Sequence, residues 1–232
     1  MKKNKKTILA GVAITIAALL FLIRFYAEAP STQPKREAAL ALALPWEIRV
    51  LPNGSSRVLG ITLQKTTLAT VQASFRDSGE MRMFVSPSGR TTVEVFFKSV
   101  DLNGIRGKVV LLLEPGRKII EAMRERGTRM KAISDGGRQV SLHPEDKKQL
   151  RYAPVGAITY IPSADLAAPV IRQRFGEPGK RIPEQKMEGV VHWLYPRLGL
   201  DITVDDNGKE MFQYVPPREF QRLLEGLQPV EG

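Results

Sequence analysis

A chain of 232 residues is long enough for one or two packed cores, and the absence of cysteine excludes disulfide staples, thiolate metal sites, thiol catalysis and lipid attachment through cysteine. Its formal charge of +11 is unevenly placed: residues 1–27 hold five basic and no acidic groups, leaving thirty Lys/Arg against twenty-four Asp/Glu in the rest. That mild excess, not interleaved with an aromatic stacking platform, argues against a nucleic-acid partner.

The chain opens on MKKNKK, followed by the uncharged run TILAGVAITIAALLFLI over residues 7–23 and then Arg24, Phe25 and Tyr26. At ~1.5 Å per residue, a helix over 7–26 would span the ~30 Å hydrocarbon core, and the preceding lysines would hold the N-terminus on the cytoplasmic side. A cleaved secretory signal is the rival reading. It is disfavoured because Pro30 would follow a cut after Ala27-Glu28-Ala29, and cutting after Ala27 puts Phe25 where a small residue is wanted. Both readings export the remainder of the chain to the periplasmic or extracytoplasmic side of a bacterial-type inner membrane.

The expected organisation is a basic tip and transmembrane signal-anchor over residues 1–26 and a Pro/Ala-rich tether over 27–45. A first α+β unit then covers 46–127, a connecting segment 128–152 and a second α+β unit 153–232. In the first unit TTLATVQASFRDSGE (66–80) reads as a helix capped by Thr66 or Thr67, with Leu68, Val71 and Phe75 on its apolar stripe. Strands are predicted over 81–85, 91–100 and 105–114, with a closing amphipathic helix over 115–126. In the second unit SADLAAPVIRQRF (163–175) reads as a helix with Ser163 as its cap, although Pro169 either kinks it or pushes its start downstream. Strands over 190–195, 200–205 and 210–215 come next, the last two joined by Asn207-Gly208, and a helix over 216–227 closes the unit. The two units match at Val71/Ile171, Phe75/Phe175, Asp77/Glu177 and Gly79/Gly179. The predicted fold class is therefore α+β: a transmembrane helix followed by two duplicated units, each a helix plus a three-stranded antiparallel meander.

The phrase FGEPGKR (175–181) invites a phosphate-loop reading. Its glycines close a helix instead of opening one, and no hydroxyl residue follows Lys180. His143 precedes a proline in a polar loop and His192 lies in a strand, neither with a companion at metal-ligand spacing. Asp205 and Asp206 read as solvated turn residues. No catalytic, cofactor-binding or metal-binding residue is assigned. The least ordinary feature is the run from Arg117 to Lys131, with Arg117, Lys118, Arg124, Arg126, Arg129 and Lys131 against two acids. A solvated helix face accounts for it, and so does contact with anionic lipid or an acidic partner, at about 1 kcal/mol per basic group. Trp193 and Tyr195 alternate along one strand and would form a partner-binding row if that strand were an exposed edge.

Phe175-Gly176-Glu177-Pro178, Trp193-Leu194-Tyr195 and Asn207-Gly208 together resemble the SmpA/OmlA family, the small accessory lipoproteins of the outer-membrane β-barrel assembly machine. A tandem of such units resembles the β-lactamase-inhibitor-protein-like fold. About 55 residues carry the pattern, while the lipid-attachment cysteine is missing and the usual helical pair at the start of each unit is reduced. The resemblance implies a non-enzymatic envelope module that binds or scaffolds an envelope protein. A binder of anionic lipid or wall polymer through residues 117–131, and an envelope hydrolase using carboxylates, are the other two readings.

Overall fold

The computed structural model describes residues 40–127, 129–133, 136–184, 187–205 and 210–227. Among them the chain forms thirteen strands and five short α-helices. A small antiparallel sheet comprises β1 (Arg49–Val50), β2 (Ser56–Val58) and β3 (Ile61–Thr62). Everything else is built on one ten-stranded antiparallel sheet. Its strands are β4 (Glu80–Val85), β5 (Thr91–Leu102), β6 (Ile105–Leu113), β7 (Met130–Ala132), β8 (Arg138–Val140), β9 (Val155–Pro162), β10 (Lys180–Pro183), β11 (Val190–Tyr195), β12 (Leu200–Asp205) and β13 (Met211–Tyr214). Their spatial order is β10-β11-β12-β13-β9-β6-β5-β4-β8-β7.

This overturns the expected pair of separate α+β units. The fold is predominantly β, and the two halves share a single continuous sheet. The joining strand is β9, which pairs with β6 from Gly107↔Pro162 to Leu113↔Val155 and with β13 from Phe212↔Tyr160 to Tyr214↔Ile158. Each half is also more than a three-stranded meander. The β7–β8 hairpin adds to β4 through Met83↔Val140, and β10 adds to β11 through Arg181↔Trp193. Among the described residues no helix is long and apolar enough to cross a membrane. The transmembrane signal-anchor expected over residues 7–26 lies outside the described residues, so no helix of the structure supports it.

Alternation along the strands assigns the two faces of the sheet. One face carries Val93, Val95, Phe97, Val109, Leu111 and Ile158, all buried, and continues through Phe212, Ile202 and Trp193. Four helices close over it: α1 (Leu68–Phe75), α2 (Arg117–Glu125), α3 (Pro144–Leu150) and α4 (Ala168–Phe175), which contribute Leu68 and Val71, Met123, Leu150 and Ile171 to the same core. Thr67 caps α1 by accepting from the Thr70 amide, and Pro169 falls in the first turn of α4, where its missing N–H is harmless. The proline thus moves the helix start downstream of Ser163. Residues 40–46 are laced to this side of the molecule: the Leu40 amide donates to Ser74 Oγ at 2.8 Å, Tyr214 Oη donates to the Pro45 carbonyl at 3.1 Å, and the Arg174 guanidinium lies 4.6 Å from the Trp46 ring centre. The end of the expected tether is therefore part of the packed domain.

The two helix–hairpin pieces are alike in detail. Phe75 at the end of α1 meets Phe97 of β5 edge-on at 5.1 Å, and Phe175 at the end of α4 meets Tyr195 of β11 at 6.0 Å. In the same register, Glu80 faces Phe96 and Lys180 faces Leu194. The strand corresponding to β4 is therefore β10, not the 190–195 strand.

Candidate functional site

The opposite sheet face is only partly covered. The last helix, α5 (Gln221–Leu227), packs Leu223, Leu224 and Leu227 with Leu194, Val215 and Phe220 over one end of it. Over β5, β6, β9 and β13 the outward side chains stay half-buried: Glu94, Val110, Leu112, Thr159, Ile161 and Met211. They floor two adjoining depressions. One, of about 760 Å³, lies between α2 and α5 and is lined by Thr92, Arg117, Ile120, Arg124 and Glu225. The other, of about 420 Å³, continues across the strands past Glu94, Ile161, Met211 and Leu223. Arg90, Leu112, Glu114 and Arg222 line both, so the two form one trough.

Its charges divide into those with partners and those without. Arg222 lies between Glu219 Oε2 at 2.5 Å and Glu114 Oε1 at 3.5 Å. Burial pushes the Glu219 carboxyl up, but hydrogen bonds from Gln64 and Arg222 outweigh it and hold the group below its usual range. Gln64 Nε2 donates to Glu219 at 2.7 Å and Glu114 at 3.1 Å, which ties the residues after β3 to the wall of the trough. Arg117 is matched by Glu121 at 2.8 Å. Arg90, Arg124 and Glu94 have no ionic partner among the described residues, and burial on the sheet raises the Glu94 carboxyl above its ordinary value. The floor is thus apolar, with an unpaired carboxylate in its middle and unpaired guanidinium groups at one end.

The basic residues singled out from the sequence are not one patch. Arg117 and Arg124, seven residues apart on α2, face the trough. Arg126 turns to α3, where Nη2 donates to Asp146 Oδ1 at 2.5 Å, and Asp146 is 1% exposed. Its role is to hold two helices together. Arg129 and Lys131 belong to the exposed β7 hairpin at the far edge of the sheet, and Lys118 is not among the residues lining the trough. The expected exposed aromatic row is corrected by burial: Trp193 and Tyr195 point into the helical core, at 6% and 5% exposure, and β11 is interior to the sheet. Arg172 and Arg181 lie over the Trp193 ring at 5.6 and 4.7 Å, both drawn to Glu177. Within FGEPGKR, Gly176 ends α4 at φ +78° with its N–H on the Arg172 carbonyl, and the Gly179 N–H donates to the Leu194 carbonyl. These glycines shape a helix-to-strand corner.

Neither histidine is idle. His143 caps α3, its Nδ1 accepting from the Glu145 amide at 3.3 Å. His192 is 6% exposed, with Nδ1 2.8 Å from Asp201 Oδ2 and Nε2 3.3 Å from Glu184 Oε2. The Asp201 hydrogen bond is the main reason its imidazole is held above the usual histidine range. With a carboxylate at each ring nitrogen, the site favours the protonated imidazole, which donates to both and in that form has no lone pair with which to activate a nucleophile. Pairing of Leu194 with Asp201 is what brings the two together. The recoverable signal in the sequence was the short loop between β11 and β12, which predicts an antiparallel pair and hence that diagonal. Among the described residues no cluster of three or more His, Asp or Glu is placed to hold a metal ion.

Compared with family models, with curated proteins and with solved structures, the chain matches none. The likeness to SmpA/OmlA proteins therefore stays with the short phrases that suggested it.

Proposed function

We propose that the chain is a non-enzymatic protein-binding module that docks its partner on the uncovered part of the central sheet. The observation that carries this reading is the trough between α2 and α5. Half-buried Val110, Leu112, Ile161 and Met211 form a continuous apolar floor that no helix of the described residues closes, and Glu94, Arg90 and Arg124, without ionic partners among those residues, stand around it. Such a surface, apolar at its centre with charges that would fix orientation, suits a protein partner better than a flat anionic layer. A lipid or wall-polymer surface read through residues 117–131 loses support, because those basic residues do not share one face: Arg126 is committed to buried Asp146, and Arg129 and Lys131 belong to the β7 hairpin at the far edge of the sheet. An envelope setting belongs to the proposal through the SmpA/OmlA resemblance.

Site-specific photo-crosslinking in intact cells tests it. A benzophenone side chain at Ile161 or Met211 should give discrete protein adducts that a probe at exposed Val50 does not give. Adducts confined to lipid or glycan, or none at either floor position, would overturn the reading.

A further inference from the structure

A second groove lies on the helical side, away from the trough, and its chemistry is sharper. We propose that the channel between α1 and α3 binds an acidic, amphipathic segment of a partner protein.

The geometry comes first. The Ala69 amide donates to the Arg151 carbonyl at 2.8 Å and the Leu68 amide to the Ala153 carbonyl at 3.0 Å, so the start of α1 is lashed to the end of α3. Leu68, Val71 and Phe75 of α1 turn toward the core, which leaves Ala69, Gln72, Ala73 and Arg76 along the opposite face at helical spacing. That face forms one bank of a channel of about 520 Å³, α3 supplies the other, and Met81 of β4 lies between them. Two alanines on the bank leave room for another backbone to come close.

Charge then selects the occupant. Arg76, Lys147, Lys148 and Arg151 line the channel against a single acid, Asp77, whose Oδ1 is occupied by the Gly79 amide at 2.9 Å. Arg76, Lys147 and Arg151 have no carboxylate partner among the described residues. Lys148 reaches Glu145 at 2.8 Å, but both side chains are about two-thirds exposed or more, and such pairs exchange readily with water or a competing carboxylate. Four cations stand around one concavity, and among the described residues only Asp77 and Glu145 stand against them. Complementarity of this sort governs encounter and register more than raw affinity. Arg76 ends α1 in the left-handed cap conformation at φ +53°, its backbone N–H on the Gln72 carbonyl. Immediately beyond Arg151, Tyr152 is 77% exposed, an aromatic of the kind that anchors interfaces. The apolar lining asks for an apolar stripe on the ligand, and the cations ask for carboxylates flanking it.

The test uses the intact chain and a fluorescein-labelled synthetic helix with glutamates on one face and leucines on the other, read by anisotropy. Saturable, salt-weakened binding is expected. Affinity should fall by about tenfold or more in Arg76→Glu/Lys147→Glu/Arg151→Glu, as loss of several charge contacts implies. It should fall similarly in Ala73→Trp, which fills the channel without touching its charge. Arg90→Glu/Arg124→Glu, in the other trough, should leave it unchanged. No saturable binding, equal binding of a glutamine-for-glutamate peptide, insensitivity to Ala73→Trp, or association with phosphatidylglycerol vesicles but not the peptide would each overturn the proposal. Ala73→Trp keeps the test decisive if the triple variant fails to fold.

Discussion

Arg126 grips Asp146 across the gap between α2 and α3, with Nη2 at 2.5 Å and Nε at 3.2 Å from the same oxygen, Oδ1. The carboxylate is almost wholly buried, and its other oxygen has no hydrogen-bond partner among the described residues. Removing the arginine leaves a buried, uncompensated charge. Arg126→Gln is expected to destabilise the domain by about 2–3 kcal/mol, the lower side of what breaking a buried pair costs because Arg126 itself is half exposed. Arg129→Gln and Lys131→Gln, on the exposed hairpin, should stay within about 0.5 kcal/mol. Urea unfolding of the three variants decides it: equal midpoints would mean that the Arg126 contact contributes nothing.

His192 makes stability depend on pH in a definite direction. Its folded pKa lies above the ordinary value near 6.5, held there first by Asp201 and then by Glu184. The stabilisation is fully present below the unfolded pKa and disappears as pH rises through the raised folded one. His192→Gln should therefore cost most at pH 5.5, about 3 kcal/mol, as breaking a buried charge cluster does, and clearly less at pH 9. A gap between wild type and variant that does not narrow with rising pH would show that the imidazolium is not what Asp201 stabilises.

Sequence periodicity placed the helices and most strands because those signals are local. Leu68, Val71 and Phe75, or Ile171 and Phe175, repeat at helical spacing whatever they eventually pack against. What pairs with what is not local. VGAIT (155–159) reads as a strand-like phrase ahead of the second helix, and only the finished sheet makes β9 the seam between β6 and β13. The 180–183 strand was hidden for another reason: Lys180, Arg181 and Pro183 read as loop, whereas charge and proline are what protect an edge strand from unwanted pairing. The trough was equally out of reach, since Glu94, Val110, Ile161 and Met211 come from four strands. Of the basic run, only Arg117 and Arg124 lie there, because they share one face of α2 while Arg126 is drawn to α3.

The matched phenylalanines give a comparative prediction. Phe75 sits on Phe97, and Phe175 sits between Tyr195 and Phe212. Both are half-buried, so alanine at either should cost about 2–3 kcal/mol, under the range for fully enclosed rings. Lys180→Ala, exposed on β10, should be nearly silent. Small and equal effects at all three positions would remove the helix ends from the core.

Gly107 lies beneath the Tyr160 ring on the neighbouring strand, where an added Cβ would come within 2.3 Å of the ring and 2.6 Å of the Ile161 carbonyl. Tyr160 is fully buried and its hydroxyl donates to the Arg106 carbonyl at 3.2 Å, so it cannot swing aside cheaply. Gly107→Ala should cost about 2–3 kcal/mol, as overpacking does. Combining it with Tyr160→Leu should cost less than the sum of the two single changes, since the smaller side chain removes the clash. Strict additivity in thermal unfolding would place the ring elsewhere.

Glu94 tests the trough itself. Its carboxyl is raised by burial, which means that the fold disfavours the ionised form, and no cation among the described residues offsets this. For an acid displaced upward, ionisation destabilises the folded state as pH climbs from the unfolded pKa through the folded one. Glu94→Gln is isosteric and uncharged, so it should raise the urea midpoint at pH 7 and leave it unchanged at pH 4, where the wild-type group is protonated in the fold. The same substitution should weaken whatever cationic or amide-donating group of a partner meets this carboxylate. A variant less stable than wild type at pH 7 would mean that Glu94 is already satisfied within the chain, and the trough would lose the unpaired charge at its centre.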